Sequence, residues 1–387
     1  MDYNKILSKK ITQIKPSGIR KFFDIAEQMS GVISLGVGEP DFKTPYNIRQ
    51  EAISVLEAGR TKYTSNAGLI ELRKEICKYL ERKNNLKYDP AHQVVVTVGG
   101  SEAIDLCVRA IIGNGDEVII PEPSFVCYSP IVTLAGGVSV PIRMKAENEF
   151  RLTAEELKEK ITDKTKLLIL PFPNNPTGAI MEKEDLEKIA KVLEGTDIMV
   201  LSDEIYSELT YGKKHVSIAE IDGMYERTIV INGFSKAFAM TGWRLGFAVG
   251  AAPIIEQMTK IHQFGIMSSP TVSQYAAIEA LRNGEESIVS MRKEYDMRRR
   301  YLVDAFNNMG LECFEPLGAF YIFPSIKSTK LSSNDFCEKL LYSQKVAVVP
   351  GDAFGESGEG HIRISYAYSI NHLMEAVKRI DRFINSL

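Results

Sequence analysis

The sequence predicts an α/β protein with a large domain, built on a mainly parallel sheet between helices, and a smaller α+β domain. Two features of the 387 residues predict this. From about residue 45 to 250, short, mostly continuously apolar runs alternate with amphipathic segments, which is typical of parallel strands covered by helices on both faces. Past about residue 285, a long charged helix is followed by short strands and further helices. The length also favours two units, at roughly 150 residues per domain.

Short runs of β-branched and aliphatic residues mark the strands of the predicted large domain. They are Gln93–Val98, Glu117–Ile120, Lys166–Leu170, Asp197–Leu201, Thr228–Ile231 and Leu245–Val249. Segments between them, such as Leu69–Arg82 and Glu184–Leu193, have helical periodicity, and Thr153 with Glu156 predicts a capping box. The large domain is predicted to span residues 45–284, and the small domain to combine residues 1–44 with residues 285–387.

Three consecutive arginines, Arg298, Arg299 and Arg300, stand in the long charged helix of the small domain. Such a run either binds an anion or covers a solvated helix face, and the solvated face is the more common case. We therefore expect these side chains to be exposed.

Composition and charge exclude several classes of protein. The chain is 44% hydrophobic and 25% charged, like an average soluble globular protein, and its formal net charge is -3. This balance lacks the basic excess that binding to a phosphate backbone requires, so nucleic acid is not an expected partner. No run of about 18 apolar residues predicts a membrane span, and the charged first residues do not resemble a signal peptide. We expect a cytoplasmic protein with no membrane partner.

Cysteine and histidine spacing argues against disulfides and metals. The five cysteines are an odd number, widely separated and without a CxxC pair, and the five histidines are equally scattered. The sequence therefore predicts neither a disulfide framework nor a metal site.

Four of the predicted strands are followed by residues that carry chemistry. In chain order these are Gly99-Gly100-Ser101, Asn174-Asn175, Ser202-Asp203-Glu204-Ile205-Tyr206 and Ser235-Lys236. Ligands of open α/β sheets bind outside the carboxyl ends of the strands, and two glycines before a helix leave backbone amides free to bind a phosphate. One edge of the sheet is therefore expected to combine a phosphate cradle, an amide, a carboxylate with a phenol, and a lysine.

Each motif is weak evidence by itself, because glycine turns, capping aspartates and exposed lysines are common. Together they match a cofactor that has a phosphate, a basic ring nitrogen, a ring hydroxyl and an aldehyde. Pyridoxal 5'-phosphate has all four groups. The strand ends therefore predict a pyridoxal-phosphate site.

A longer stretch around Lys236 strengthens this hypothesis. Residues 233–246, GFSKAFAMTGWRLG, resemble the pyridoxal-phosphate attachment signature of class I and II aminotransferases. Other landmarks of that family occur in the same order at Gly38-Glu39-Pro40-Asp41, Asn175-Pro176-Thr177-Gly178, Ser202–Tyr206 and Arg363-Ile364-Ser365. The resemblance, which runs from about residue 14 to the C-terminus, implies fold type I of the pyridoxal-phosphate enzymes, with a seven-stranded sheet. It also implies an aspartate aminotransferase-like enzyme that moves an amino group from an L-amino acid to a 2-oxo acid by a ping-pong Schiff-base mechanism.

The resemblance implies catalytic roles for three residues. Lys236 would form the Schiff base with the cofactor aldehyde and move a proton between the substrate Cα and the cofactor. Asp203 would keep the ring nitrogen protonated, because an adjacent carboxylate favours the charged form. Tyr206, together with Asn175, would hydrogen-bond the ring hydroxyl oxygen.

Further residues of the resemblance would hold the phosphate. They are Gly99, Gly100, Ser101 and Arg244. Only the guanidinium among these groups binds phosphate bidentately. The chain departs from many relatives at Gly233, where they have a phosphate-binding serine, and Ser235 or water is expected to replace that contact.

Aromatic residues complete the implied cofactor site. Phe125 would stack on the ring, and Tyr128, one turn later, is a competing candidate. Tyr63 matches a tyrosine that reaches the phosphate of the neighbouring subunit's cofactor. The resemblance therefore implies a symmetric homodimer with composite sites.

The substrate would be held by its α-carboxylate. Arg363 matches the arginine that binds this group, with help from Asn175 and the backbone of Gly38. Because both ends of the substrate are fixed, the small domain is expected to close and exclude water, with Gly36–Gly38 and Pro16–Arg20 as moving segments.

Two alternatives with the same fold remain open from the sequence. A carbon–sulfur β-lyase shares the lysine, the carboxylate and the carboxylate-binding arginine, and a non-catalytic regulator would bind the same cofactor. A serine hydrolase is disfavoured because Ala103 stands where the nucleophile elbow needs glycine. A dehydrogenase is disfavoured because Gly36-Val37-Gly38 does not continue as x-x-Gly. Within the family the resemblance favours aspartate, aromatic or related amino acids, but the sequence singles out no arginine for a second carboxylate.

Overall fold

The computed structural model describes residues 1–16 and 29–387. In these ranges the strands are β1 (Ile33–Ser34), β2 (Val94–Thr97), β3 (Glu117–Glu122), β4 (Val138–Arg143), β5 (Thr165–Leu170), β6 (Met199–Asp203), β7 (Thr228–Gly233), β8 (Gly246–Val249), β9 (Tyr321–Ile322), β10 (Val346–Ala347), β11 (Val349–Pro350) and β12 (Ile362–Ser365). The α-helices are α1 (Lys9–Thr12), α2 (Tyr46–Glu57), α3 (Ile70–Asn84), α4 (Gly100–Ile111), α5 (Tyr128–Ala135), α6 (Ala154–Lys160), α7 (Lys183–Leu193), α8 (Ala252–Gly265), α9 (Thr271–Asn283), α10 (Glu285–Asn308), α11 (Ser333–Gln344) and α12 (Ile370–Ile384). Strands and helices alternate from β2 to β6, as the α/β pattern requires.

Within the described residues, seven strands form the central sheet in the order β2-β8-β7-β6-β5-β3-β4. Strand β8 runs antiparallel to both of its neighbours, and the remaining adjacent pairs are parallel. Strand β2 therefore points in the same direction as β5, β6 and β7. The predicted α/β fold with a seven-stranded, mainly parallel sheet is confirmed.

Both faces of this sheet are covered, as the continuously apolar strands indicated. Successive side chains of a strand point to opposite faces. In β5, Leu167 and Ile169 join the buried cluster that includes residues of α4 and α8, whereas Leu168 and Leu170 join the cluster that includes Ile189 of α7. In the described part of the chain, no helix has both the length and the apolar character needed to cross a bilayer.

Strand β4 was not expected from the sequence. Its residues do not form a continuous apolar run, since Val138 is exposed and Pro141 lies in the middle. The structure places β4 at the edge of the sheet, beside β3. Proline is tolerated in an edge strand because one side of that strand has no ladder hydrogen bonds to lose.

The capping box of α6 is present as predicted. Thr153 and Glu156 each accept the other's backbone N–H at 3.2 Å.

Short strands from the two ends of the chain pair with one another. Strand β1 lies parallel to β10, and β12 lies between β11 and β9 in an antiparallel sheet. Ile33 and Leu35 pack in one buried cluster with residues of α10, α11 and α12. This arrangement carries Arg363 on β12 and the loop after β1 to the edge where the central strands end. The exact domain boundaries remain a prediction.

The expectation of a solvated face at Arg298–Arg300 is wrong for two of the three residues. Arg298 and Arg299 are buried, and Arg300 is exposed. Arg298 Nη1 donates to both carboxylate oxygens of Asp41, at 2.9 and 3.0 Å, and Arg299 pairs with Asp296 and Glu315. Two of these partners are distant in sequence, so local charge patterning could not predict the burial.

Candidate active site

The motifs that follow β2, β5, β6 and β7 meet at one cavity of about 360 Å³. They meet because these four strands end at the same edge of the sheet. The residues expected at the site that line the cavity are Gly38, Gly100, Ser101, Phe125, Asn175, Asp203, Tyr206, Lys236, Arg244 and Arg363. Gly99 adjoins this lining. Tyr63 lies outside it.

The side chain of Lys236 enters the cavity from the loop that follows β7. Its Nζ atom donates a 2.7 Å hydrogen bond to the carbonyl oxygen of Gly38. Nζ also lies 5.8 Å from the ring centroid of Tyr206 and 5.7 Å from that of Phe320. The amine is thus fixed between a carbonyl oxygen and two aromatic rings.

The pKa of Lys236 is lowered to about 8 from an ordinary value of 10.5. Burial is the largest cause, because it disfavours the charged amine. Glu39 opposes the shift, whereas the guanidinium groups of Arg363 and Arg244 add to it. A lysine with this pKa is partly neutral near pH 7, and the neutral amine is the nucleophilic form.

Asp203 presents a buried carboxylate at the end of β6. Tyr128 Oη donates a 2.7 Å hydrogen bond to Asp203 Oδ2, and the backbone N–H of Ile205 donates to Oδ1 at 3.2 Å. Burial raises the pKa of Asp203, while the two hydrogen bonds oppose the rise. The carboxylate is therefore held in one orientation and can accept a hydrogen bond from a cationic ring nitrogen.

Tyr206 and Tyr321 share a hydrogen bond in the cavity wall. Their hydroxyl oxygens lie 2.8 Å apart, and their rings meet edge to face. Burial raises the pKa of both phenols, so both stay neutral and one can donate to the other. Gly38 packs against this pair so closely that a Cβ atom at that position would overlap Tyr321 Oη. Glycine is therefore required for its carbonyl oxygen to reach Lys236.

Arg363 is buried beside Tyr321, and its guanidinium lies between two aromatic rings. Its Cζ atom lies 4.6 Å from the ring centroid of Tyr321 and 4.8 Å from that of Phe354. Nη1 donates to Asn175 Oδ1 at 3.0 Å, and Nη2 donates to the carbonyl oxygen of Gly36. Its buried Nε atom has no hydrogen-bond partner among residues 1–16 and 29–387. A buried donor without a partner is costly, and a carboxylate ligand would satisfy it.

The turn between β2 and α4 has the geometry expected of an anion cradle. Gly99 has a φ of 86°, a conformation that favours glycine. Gly100 and Ser101 precede the first hydrogen bond of α4, so their backbone N–H groups point out of the helix start. Such a helix start attracts anions. Gly246 of β8 packs against this turn, because a Cβ atom added to Gly246 would lie 2.6 Å from the Gly100 nitrogen.

Arg244 supplies positive charge to this cradle. A Cβ atom on Gly99 would lie 2.6 Å from Arg244 Nη2, so the guanidinium lies against the turn. Arg244 Nη1 donates to the carbonyl oxygen of Thr241 at 2.9 Å. The guanidinium is thus held against the turn at the start of α4.

The three aromatic residues predicted for the cofactor site differ in their positions relative to the cavity. Phe125 lines the cavity, and its ring meets that of Tyr128 edge to face. Tyr128, the competing candidate for stacking, has its hydroxyl bonded to Asp203. Tyr63 is 82% exposed and lies outside the cavity of its own chain.

Comparison with known proteins agrees with this geometry. The family model for class I and II aminotransferases matches residues 30–380. The chain belongs to the class I and II aminotransferase family. It is 49% identical to an aspartate aminotransferase of Pyrococcus abyssi and 46% identical to aromatic-amino-acid aminotransferase 2 of Thermococcus litoralis, with 98% of each chain covered in both cases. The solved structure of an aromatic aminotransferase from Pyrococcus horikoshii is similar at a TM-score of 0.91 and 46% identity, and the match covers 94% of this chain and 99% of that one.

This aminotransferase has a structural reason for Gly233. The residue pairs with Gly246 across β7 and β8, and a Cβ atom would lie 3.0 Å from Gly246 Cα and 3.1 Å from the carbonyl oxygen of Leu245. The two strands are therefore too close for a side chain without adjustment. Ser235, on the loop after β7, lines the cavity.

Sequence reasoning missed two features of the aminotransferase site. It considered Tyr128 only as a competing candidate for stacking and did not predict its hydrogen bond to Asp203. It also gave Tyr321 no functional role, because no sequence motif marks that residue. The moving segment expected at Pro16–Arg20 lies, from Ser17 onward, outside the described residues.

Proposed function

We propose that this chain is a pyridoxal 5'-phosphate-dependent aminotransferase that moves an amino group from an L-amino acid to a 2-oxo acid in two half-reactions at one site. The observation that carries the proposal is the Lys236 amine, which has a lowered pKa and shares one cavity with Asp203 and Arg363. The family match and the names of the relatives support this activity over a carbon–sulfur β-lyase or a non-catalytic regulator.

The donor set of the cavity fits each polar group of pyridoxal phosphate. The matching residues are the N–H groups of Gly100 and Ser101 with Arg244 for the phosphate, Asp203 for the ring nitrogen, Tyr206 and Asn175 for the ring hydroxyl oxygen, and Lys236 for the aldehyde. Asn175 Oδ1 accepts from Arg363, which leaves its Nδ2 group to donate. When bound, the cofactor supplies an electrophilic carbon and a conjugated ring that takes up negative charge from the substrate Cα.

Lys236 moves the proton in this proposal. Its neutral amine would accept a proton at Nζ from the substrate Cα, and the resulting ammonium would then donate that proton to the carbon that the cofactor supplies. The carbonyl oxygen of Gly38 orients Nζ, and burial keeps the pKa of Lys236 near 8, so that both forms are accessible near neutral pH.

Arg363 binds the α-carboxylate of the substrate in this proposal. Its unpaired Nε group and its stacking between two rings support a fixed, bidentate geometry. Its bond to Asn175 links β12 to the loop after β5. We propose that residues 1–44 with 285–387 close over residues 45–284 when the substrate occupies this position, and that closure excludes water.

The proposed assembly is a symmetric homodimer in the cytoplasm. Tyr63 is exposed outside its own cavity, which is consistent with a phenol that contacts the cofactor phosphate of the second subunit. The substitution Tyr63→Phe is expected to weaken cofactor binding only in the dimer. Mass photometry and cofactor titration of the same samples measure both quantities, and unchanged affinity would remove Tyr63 from the site.

Borohydride reduction followed by peptide mass spectrometry tests the central assignment. We expect a pyridoxyl-phosphate adduct on Lys236 in the wild type, none in Lys236→Ala, and an unchanged adduct in the control Lys260→Ala. Failure to form the adduct on Lys236 would overturn the proposal.

A panel of amino donors tests the reaction. Aspartate and aromatic amino acids come first because the relatives carry these names. Each active donor converts the absorbance of the attached cofactor to that of its amine form, and a 2-oxo acid reverses the change. Release of pyruvate and sulfide from cysteine without a 2-oxo acid would favour the β-lyase instead.

A further inference from the structure

A carboxylate–imidazole pair, with its imidazole fully buried, lies next to the turn between β2 and α4. His262 Nδ1, on α8, is 2.8 Å from Glu102 Oε1, and the histidine side chain is fully buried. The other oxygen of Glu102 accepts the backbone N–H of Val98, the residue before the turn. The pair therefore joins α8 to both the last residue before the cradle and the first turn of α4.

The hydrogen bonds determine the direction of donation within the pair. An ionised carboxylate only accepts, so the hydrogen lies on His262 Nδ1. The Nε2 atom of His262 then has no partner within the described part of the chain. An apolar side chain would fill this space without a buried unpaired nitrogen, so packing alone does not account for a histidine here. Its contribution is the bond to Glu102.

Glu102 is placed to shape the cradle without blocking it. It is the third residue of α4, after Gly100 and Ser101, and its side chain folds back to Val98 rather than lining the cavity. A carboxylate in the first helical turn competes with an anion for exposed amides. Here both carboxylate oxygens are occupied, one by Val98 N–H and one by His262, so the amides of Gly100 and Ser101 stay available.

The turn is also supported from its other side. Gly246 of β8 packs against the backbone of Gly99 and Gly100. A Cβ atom added to Gly246 would lie 2.7 Å from the carbonyl carbon of Gly99 and 2.6 Å from the nitrogen of Gly100. The turn thus contacts both β8 and the Glu102–His262 pair. Loss of the pair frees one side of the turn and leaves the other unchanged.

We propose that Glu102 and His262 are positioning residues that set the geometry of the phosphate cradle. The proposal rests on the proposed function, because the phosphate in question is that of pyridoxal phosphate. Neither residue lines the cavity. Since the pair contacts Val98 and the first turn of α4, we expect it to affect binding of the cofactor phosphate and not of the ring.

Affinities for pyridoxal phosphate and for pyridoxal, which lacks the phosphate, test this role in the full-length protein freed of cofactor. We expect His262→Leu and Glu102→Ala to weaken binding of pyridoxal phosphate about tenfold, as for loss of one or two hydrogen bonds to a charged group. Pyridoxal affinity is expected to stay unchanged. His262→Asn, which retains a donor near the Nδ1 position, is expected to restore the phosphate preference.

Glu156→Ala is the matched control, because Glu156 also caps the first turn of a helix, α6, but lies away from the cavity. It should leave both affinities unchanged. Equal losses for the two ligands in His262→Leu, or no loss for either, would overturn the positioning role. If the wild type binds no pyridoxal phosphate and forms no adduct at Lys236, the proposed function fails instead. Direct titration with inorganic phosphate then still tests the cradle, and an equal phosphate affinity in wild type and His262→Leu would overturn the inference independently.

Discussion

The hydroxyl groups of Tyr206 and Tyr321 lie 2.8 Å apart in the wall of the cavity. Tyr321 also stacks on the guanidinium of Arg363 and contacts the backbone of Gly38. One phenol therefore connects the residue proposed for the cofactor hydroxyl with the residue proposed for the substrate carboxylate.

The substitution Tyr321→Phe is expected to lower kcat/KM about fivefold to tenfold, because Tyr206 loses one hydrogen bond worth about 1 kcal/mol while the ring stacked on Arg363 remains. Steady-state kinetics with an active amino donor measures the effect. Tyr211→Phe is the control, since the Tyr211 hydroxyl donates to Ala319 O and does not line the cavity. Equal losses in both variants would remove the specific role of Tyr321.

Removal of the Arg363 side chain is expected to abolish useful turnover and to leave the cofactor attached. A buried bidentate pair that loses one partner costs about 2–5 kcal/mol, or roughly 30-fold to several thousandfold in kcat/KM. Kinetics of Arg363→Ala and the absorbance of its attached cofactor give the two readouts. Full kcat/KM in this variant would refute the assignment.

The rate of cofactor attachment is expected to depend on pH through Lys236. Since burial lowers the pKa of Lys236 to about 8, the neutral fraction rises about tenfold per pH unit below pH 8 and levels off above it. Stopped-flow mixing of cofactor-free protein with pyridoxal phosphate measures this profile. Glu39 raises the pKa of Lys236, so Glu39→Gln should move the inflection to lower pH. An inflection near 10.5 would contradict the prediction.

Loss of the Tyr128 hydroxyl is expected to weaken the Asp203 carboxylate as a partner for a cationic ring. The Tyr128 bond opposes the burial that raises the pKa of Asp203, so Tyr128→Phe raises this pKa further. The acid limb of the kcat/KM profile should move to higher pH, with a loss of about tenfold near neutral pH. Tyr88→Phe is the control, because the buried Tyr88 hydroxyl has no partner in the ranges 1–16 and 29–387. A profile that matches the wild type would contradict the role of Tyr128.

The buried arginines of α10 predict unequal effects on stability. Arg298→Met removes the hydrogen bonds to Asp41 and the stacking of the guanidinium on Phe42 and Tyr295, which is expected to lower the free energy of unfolding by about 1–2 kcal/mol, since the exposed Asp41 stays solvated. Arg300→Met, on the exposed side of the same helix, is expected to change it by less than about 0.5 kcal/mol. Urea titration of both variants measures the difference, and equal values would contradict the structural distinction.

Local sequence patterns predicted much of the fold and the residues that line the cavity. Apolar runs and their spacing predicted the strands of the large sheet, because hydrophobic periodicity directly reflects which faces are buried. The attachment motif around Lys236 and the landmarks at Asp203, Asn175 and Arg363 predicted the members of the site. The rule that ligands bind at the carboxyl ends of strands was sufficient to expect these residues at one edge.

Tertiary structure alone decided which side chains pair with one another. The bonds from Tyr128 to Asp203 and from Tyr321 to Tyr206 join residues 75 and 115 positions apart. The buried Arg298 pairs with Asp41, which is 257 positions away. Strand β4 forms because a sheet edge tolerates its proline. Sequence periodicity reports the environment of a residue, but it does not report its partner, since a hydrogen bond requires two atoms that only the folded chain brings within 3 Å.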